Sequence, residues 1–202
     1  MSARDTRQQV LADGFARLPA DRMADALGAT AMAGLDAFAA SWNRLEVDSF
    51  MADGGRYRRR RIANFTARAG VPGHERGPHK PHFQAVVHNK LNGGVDRWFA
   101  PVEDAIAASA VLQGLLAMGR GVADALHPGQ DWFVEMHQFR IEAEAGAPGY
   151  PTPEGTHHDG VDAVLIAMIA RTNLVGGETL VTDDEGRELA RFTLLDRLDT
   201  AL

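Results

Sequence analysis

The chain has 202 residues, no cysteine and a formal net charge of −6, and this length suits one domain. The lack of cysteine excludes disulfides and zinc–thiolate sites. The acidic balance argues against a broad nucleic-acid surface, which needs an excess of basic residues. The sequence shows neither a secretory signal nor an apolar stretch long enough to span a bilayer, so we expect a cytoplasmic protein.

The N-terminal segment is predicted to be helical. Residues 5–40 carry two helical patterns, the first ending near Pro19 and the second rich in alanine with few helix-breaking residues. Residues 45–70 then predict a loop and strand with a turn at DGG, and residues 82–101 predict two short strands around NGG. A further helix is predicted over residues 102–126.

From residue 131 onward the pattern becomes that of β-strands. In DWFVEMHQFRIEAEAG the residues alternate in direction, so Glu135 and His137 face the same side as Phe133 and Phe139. Three further strands are predicted in VDAVLIAMIAR, ETLVTD and LARFTLL, and the first of these is expected to be buried. Helices followed by strands predict an α+β fold with a sheet or barrel in the C-terminal half.

The segment EGTHHDG contains two histidines and an aspartate between glycines. In an extended backbone His157 and Asp159 project to one side and His158 to the other. An imidazole and a carboxylate two residues apart can bind one metal ion, and two histidines with one carboxylate on one face are typical of non-haem Fe(II) oxygenases. Such a triplet also occurs in ordinary polar turns. The segment alone therefore leaves both a metal site and a surface turn open.

Four blocks of the sequence together resemble the bacterial 2-oxoglutarate–Fe(II) dioxygenase family that includes the L-isoleucine hydroxylases. They are DSFMADGGRYRRRRIANF, KPHFQAVVHNKLNGGVDRWFAP, EMHQFRIEA and PEGTHHDGVDAVLIAMIARTNLVGGET, so the resemblance covers most of the chain from about Trp42 onward. It implies a double-stranded β-helix, a jelly-roll-like barrel with helices packed outside, in a single domain over residues 1–202. Residues 1–40 would be its helical part, and residues 131–202 would supply its main strands.

The resemblance also implies a chemistry. His157 and Asp159 would bind Fe(II), with 2-oxoglutarate and O2 as co-substrates. The family hydroxylates an unactivated carbon while 2-oxoglutarate is converted to succinate. The expected substrate is a free L-amino acid, so the expected partner is a small molecule, with no nucleic acid and no membrane.

Two features of the family pattern have no counterpart at the end of this chain. The family has a third iron-binding histidine some tens of residues after the H-x-D pair, followed by an arginine that pairs with 2-oxoglutarate. Here no histidine follows His158, and the last arginine is Arg197. We therefore expect the last barrel strands to be missing, either because the 202 residues are a fragment or because the gene is truncated. A truncated member would be inactive and act at most as a binding module. Alternatively, an internal histidine, His88 or His137, supplies the third ligand.

Several other residues are candidates to bind substrate. One arginine of RYRRRR, such as Arg58, could hold a substrate carboxylate through two hydrogen bonds, although a basic strand in an acidic protein is more often solvated or ion-paired. Gln84 and Asn89 could bind polar substrate groups or form cross-strand hydrogen bonds. His137 could bind substrate or be a core histidine. Arg140 alternates away from it, and could face the barrel interior or pair with a surface acid.

Overall fold

The computed structural model describes residues 3–87, 91, 93–153 and 155–202. The helices are α1 (Ala3–Asp13), α2 (Ala20–Ala33), α3 (Leu35–Ala40), a 3-10 helix (Ser41–Arg44), α4 (Asp104–Ala107) and α5 (Ala110–Leu126). The strands are β1 (Arg17–Leu18), β2 (Glu46–Val47), β3 (Arg58–Ala67), β4 (Glu75–Arg76), β5 (Trp132–Ile141), β6 (Ile166–Ala167), β7 (Glu178–Thr182), β8 (Glu188–Thr193) and β9 (Thr200–Ala201). They form two compact units, one over Leu27–Ala163 and one made of residues up to Ala26 together with Val164–Leu202.

Both predicted helical regions are confirmed. Residues 5–40 contain α1, α2 and α3, and the predicted break at Pro19 lies between β1 and α2. α2 is interrupted at Gly28, whose φ of 76° lies in the left-handed region that glycine tolerates. Residues 102–126 contain α4 and α5, and the Ser109 side chain caps α5 by accepting a hydrogen bond from a backbone N–H of its first turn. No helix in the described ranges is long and apolar enough to cross a bilayer.

The Leu27–Ala163 unit is organised around β3. β5 pairs with β3 antiparallel over all ten residues of each strand, from Arg58 opposite Ile141 to Ala67 opposite Trp132. β2 and β4 pair antiparallel with the other edge of β3. The predicted strand in residues 45–70 and the predicted strand after residue 131 are therefore confirmed. Opposed residues of antiparallel strands project to the same face, so the even-numbered residues of β3 and the odd-numbered residues of β5 share one face, called the site face below.

The core of this unit draws on β3 and α5. Ile62 and Phe65 lie on opposite faces of β3 and both are buried, so this strand is covered on both sides. α5 buries Val111, Leu115 and Val122, which recur at helical spacing. Burying one such side chain contributes roughly 1.5–3 kcal/mol. This packing fixes β3, the strand that supplies half of the site face.

The second unit contains two small sheets. β9 pairs antiparallel with β1 and with β6, and β7 pairs antiparallel with β8 as a hairpin. This hairpin confirms the strands predicted in ETLVTD and LARFTLL. Asp183 closes its turn, because Oδ1 accepts hydrogen bonds from the backbone N–H groups of Glu185 and Arg187 at 3.1 and 2.8 Å.

The prediction of a buried strand over VDAVLIAMIAR is wrong. Only Ile166–Ala167 is a strand there, and Val161 and Val164 are exposed, whereas Ile169 is buried. Among the strands that the structure describes, β6 pairs only with β9, over two residues. The run is apolar, but without neighbouring strands most of its side chains stay at the surface.

Candidate metal centre and an adjoining polar cluster

His157 and Asp159 lie in a loop of the Leu27–Ala163 unit. Gly155 and Gly160 flank them with φ of 77° and 70°, a conformation that glycine adopts without strain. Nε2 of His157 lies 3.0 Å from Oδ1 of Asp159, and Nδ1 of His157 lies 2.9 Å from the carbonyl oxygen of Gly155. The side chains of His157 and Asp159 therefore converge, while His158 is exposed.

The hydrogen on the His157 ring can be placed from these contacts. A carbonyl oxygen only accepts hydrogen bonds, so Nδ1 carries the hydrogen, and Nε2 of the neutral imidazole is then an acceptor. Oδ1 of Asp159 is also an acceptor, so the 3.0 Å contact needs either a proton or a metal ion between the two atoms. Adjacent ligands at about 2.1 Å from an octahedral ion are roughly 3 Å apart. The pair fits a metal ion in both donor type and spacing.

Gln84 connects Asp159 to a buried arginine. The guanidinium of Arg97, which is 2% exposed, donates to Oε1 of Gln84 at 2.9 Å, and Nε2 of Gln84 donates to Oδ1 of Asp159 at 3.2 Å. Because arginine only donates, this contact fixes the orientation of the Gln84 amide. Gln84 therefore holds the Asp159 carboxylate in place, as residues behind the ligands do in known metal sites.

The segment that carries Gln84 is less regular than predicted. In the described part of residues 82–101 one bridge joins two residues of the segment, His82 and Arg97, which exchange two backbone hydrogen bonds of 3.0 Å. The Gly94 N–H donates to the Gln84 carbonyl at 2.8 Å, so the chain does reverse direction as predicted, but without regular strands. The extended backbone places the side chains of His82 and Gln84 on the same side.

His82, Glu135 and His137 form a polar cluster at the site face. Nδ1 of His82 lies 2.7 Å from Oε2 of Glu135, and Nε2 of His137 lies 3.8 Å from the same oxygen. The two imidazole rings are 4.9 Å apart, edge to face. Their three ligand atoms lie within 4.8 Å of one another, a set that could hold a divalent ion.

A hydrogen bond from Arg60 to His137 disfavours metal binding in this polar cluster. Its Nη2 donates to Nδ1 of His137 at 2.8 Å, so the neutral ring carries its hydrogen on Nε2, the nitrogen that a metal ion would need. Burial lowers the pKa of His137 to about 4, and the Arg60 cation adds to this effect, so the ring is neutral at pH 7. Burial would raise the pKa of Glu135, but the imidazoles of His137 and His82 lower it to about 2. The polar cluster is thus an ionised carboxylate between two N–H donors.

In the core, Asp48 forms ion pairs with Arg58 and Arg60, the two arginines of the site face. Its side chain is 0% exposed, and Oδ2 lies 2.7 Å from Arg58 and 3.6 Å from Arg60. The Arg60 guanidinium also stacks on the rings of Phe99 and Phe139, at 3.8 and 4.4 Å from their centroids. The structure thus places Arg58 in a buried ion pair, and it is Arg60 that contacts the polar cluster.

The structure does not place the other predicted substrate-binding residues at the site face. Arg140 projects to the opposite face of β5 and pairs at 3.2 Å with Glu142, an acid that Arg59 also contacts at 3.0 Å. Each of the four arginines that begin β3 has an acidic partner, so this basic run is ion-paired. His88 and Asn89 lie outside the described residues.

Several residues of the site were missed by sequence analysis: Asp48, His82, Arg97 and Glu135. One signal was available, because Glu135 and His137 share a face of an alternating strand, where an acid and a histidine can pair. The sequence contains no comparable signal for His82 or Arg97. Each reaches the site through contacts with residues far along the chain.

Comparison with known sequences gives two matches. Residues 39–202 match the family model described as 2OG-Fe dioxygenase. The 3(1)-hydroxy-L-isoleucine 4-dioxygenase of Pantoea ananatis (strain AJ13355) is 29% identical over 126 residues, which are 60% of this chain and 51% of that protein. The chain therefore spans about half the length of this curated relative.

Several solved structures are similar to the chain. The crystal structure of a bsmA homolog from Methylobium petroleophilum PM1 has a TM-score of 0.85 and 33% identity, covering 100% of this chain and 80% of that one. IDO from Bacillus thuringiensis has a TM-score of 0.81 and 18% identity, covering 99% and 85%. The Fe(II)/(alpha)ketoglutarate-dependent dioxygenase TqaL has a TM-score of 0.68 and 19% identity, covering 98% and 74%. At such low identity the last two similarities establish the fold alone, one of mixed helices and antiparallel sheets.

Proposed function

Because the chain belongs to the 2OG-Fe dioxygenase family, we propose that it acts in the hydroxylation of a free L-amino acid at an unactivated carbon. The family uses Fe(II), 2-oxoglutarate and O2, and the resemblance to this family found in the sequence is confirmed. The observation that carries the proposal is the His157–Asp159 pair, in which two acceptor atoms lie 3.0 Å apart.

In this proposal Nε2 of His157 and Oδ1 of Asp159 are two of the iron ligands. Bound Fe(II) supplies the positions at which 2-oxoglutarate and O2 react. One oxygen atom enters the substrate as a hydroxyl group, and the other enters succinate as 2-oxoglutarate loses CO2. The Gly155 carbonyl fixes the hydrogen on Nδ1 of His157, and Gln84 holds the Asp159 carboxylate. These contacts keep both ligand atoms oriented toward the same point.

The substrate class is supported by the Pantoea ananatis relative, whose name specifies a hydroxylated L-isoleucine. The partner in this proposal is a small molecule in the cytoplasm, with no nucleic acid and no membrane. We also propose that the strands belong to a double-stranded β-helix and that residues 1–202 lie in a single dioxygenase-like domain. The antiparallel pairing of β3 with β5 and the similarity in fold to the dioxygenase TqaL support this fold.

Iron binding tests the proposal most directly. The purified chain is titrated with Fe(II) and 2-oxoglutarate without oxygen, and the visible absorption band of the Fe(II)–2-oxoglutarate chelate is measured. We expect a saturable band that His157→Ala and Asp159→Ala each abolish. His158→Ala is the matched control, because it removes the exposed histidine between the two ligands and should leave the band unchanged.

Turnover is then measured by admitting oxygen with a panel of free L-amino acids. The expected result is succinate release together with a product heavier by one oxygen atom. A chelate that survives His157→Ala would contradict the ligand assignment. A chelate with no succinate release for any amino acid would contradict catalysis, and would favour an inactive binding module built on the same fold.

A further inference from the structure

The Glu135 carboxylate has partners on one oxygen only. Both histidines of the polar cluster, His82 and His137, approach Oε2. Within the described ranges Oε1 accepts no hydrogen bond, and no lysine or arginine lies within 4.0 Å of the carboxylate. The side chain is only 25% exposed. A largely buried anion is costly unless a cation approaches it.

The neighbouring charged and titratable groups leave Oε1 without a lysine or arginine cation within 4.0 Å among the described residues. His82 contacts Oε2 at 2.7 Å, and the ammonium of Lys80 lies 5.8 Å from the centroid of the Phe133 ring. Arg60 is turned away from Glu135, toward Nδ1 of His137 and toward Asp48. His137 is neutral, since Nδ1 accepts the Arg60 hydrogen bond. The arrangement leaves Oε1 available to a cationic ligand.

Two exposed aromatic rings lie on the same face of β5 as this carboxylate, Phe133 two residues before it and Phe139 four residues after it. Phe133 is 57% exposed and Phe139 is 43% exposed, and the Phe139 ring lies 5.4 Å from the His137 ring. Exposed aromatic surface beside a charged group is typical of sites for small amphiphilic ligands. A ligand with a cationic end and an aliphatic chain would match both features.

The position of Glu135 relative to the candidate metal centre sets the size of such a ligand. His82 contacts Glu135, and Gln84 contacts Asp159. Two residues along an extended segment span about 7 Å, and both side chains project to the same side. The side chains that contact Glu135 and Asp159 therefore start about 7 Å apart, a spacing comparable to the length of an amino acid with a short aliphatic side chain.

We propose that Oε1 of Glu135 binds the α-ammonium group of the substrate, with Phe133 and Phe139 against its aliphatic side chain. The chain would then select free amino acids over N-acylated ones. This inference rests on the proposed function, because it takes an amino acid as the substrate. A metal ion is the alternative ligand for this carboxylate. The hydrogen bond from Arg60 disfavours it, because it fixes a hydrogen on Nε2 of His137, the nitrogen that would have to bind the metal.

The test compares L-isoleucine with N-acetyl-L-isoleucine, which lacks the ammonium group. Calorimetry measures the binding of each to the chain, both metal-free and loaded anaerobically with Fe(II) and 2-oxoglutarate. We expect tighter binding of L-isoleucine and a loss of that preference in Glu135→Gln, with affinity for L-isoleucine reduced about 10- to 100-fold. Glu142→Gln is the matched control, at the residue that directly follows the same strand, and should keep the wild-type preference. Circular dichroism and the urea midpoint establish that both variants fold.

The outcomes separate this inference from the proposed function. A wild-type chain that forms no Fe(II)–2-oxoglutarate chelate contradicts the proposed function, while metal-free calorimetry still tests Glu135. A Glu135→Gln variant that forms the chelate and keeps the preference overturns the inference alone. A wild-type chain that binds neither compound overturns it as well. Zn²⁺ binding that is lost in Glu135→Gln and His82→Ala but retained in His157→Ala would show a metal site instead, and would also overturn it.

Discussion

The carboxylate of Asp48 and the guanidinium of Arg58 form an ion pair of 2.7 Å in which both side chains are buried. Arg60 approaches the same oxygen at 3.6 Å, so the Asp48 carboxylate is paired with two guanidinium groups inside the Leu27–Ala163 unit. Both arginines belong to β3 and to the site face. Asp48 therefore links the stability of this unit to the geometry of the polar cluster.

Replacing Asp48 should destabilise the chain strongly. Asp48→Ala leaves two buried guanidinium groups without their acid, and removal of one partner from a buried pair costs about 3–5 kcal/mol in the free energy of unfolding. Urea denaturation measures this loss. Asp104→Ala is the control, because Asp104 pairs with Arg76 while its side chain is 98% exposed, and surface pairs add little. Equal losses in the two variants would contradict the role of Asp48.

His137 should make stability depend on pH. Its pKa is about 4 in the folded chain against an ordinary value of 6.5, so the unfolded chain binds the proton more tightly. The free energy of unfolding is therefore at its full value above pH 6.5 and falls as the pH decreases toward 4, by about 3 kcal/mol in total. Glu135, whose pKa is lowered from 4.5 to about 2, adds a further decrease below pH 4.5. Urea denaturation at stepped pH values measures both.

Two variants separate the His137 contribution from general acid unfolding. His137→Asn keeps an acceptor for the Arg60 hydrogen bond but does not titrate in this range. It should flatten the decrease between pH 6.5 and 4. His158→Asn removes an exposed histidine and should leave the decrease intact. A pH dependence unchanged by His137→Asn would show that other groups cause it.

Gln84 should affect iron affinity without binding iron. Gln84→Leu removes the amide that holds the Asp159 carboxylate, and losses of this kind reduce metal affinity about 10- to 100-fold. The anaerobic Fe(II) titration measures the change. Gln130→Leu, at an exposed position outside the site, is the control and should bind iron as the wild type does. Equal affinity in both variants would contradict the positioning role of Gln84.

The alternation of side chains along the sequence correctly predicted those features of the fold that follow from the geometry of a single extended segment. The alternation after residue 131 predicted β5 and the shared face of Glu135 and His137, because side-chain direction in a strand follows from backbone geometry alone. The convergence of His157 and Asp159 was predicted from the same geometry.

Long-range contacts were the part that the sequence could not supply. Arg58 was considered for a substrate carboxylate, yet it pairs with Asp48, because β2 brings that acid to the edge of β3. His82 follows a proline-rich loop, where a solvated side chain is expected, but its bridge to Arg97 directs it toward Glu135. Such contacts depend on which strands become neighbours, and no local pattern encodes that choice.

The ten-residue pairing of β3 with β5 also has a consequence for the order of events during translation. β3 leaves the ribosome while residues 68–131 and β5 are still to be synthesised, so its main partner is absent during that interval. A nascent strand with an unpaired edge is prone to associate with other chains. Arg59 near the start of β3 is still without its acidic partner Glu142 during this delay, and its charge repels other copies of the same strand. The acids that pair with the other three arginines of β3, Glu46 and Asp48, precede this strand in the chain, whereas Glu142 follows β5, so the charge of Arg59 is neutralised only when β5 is available.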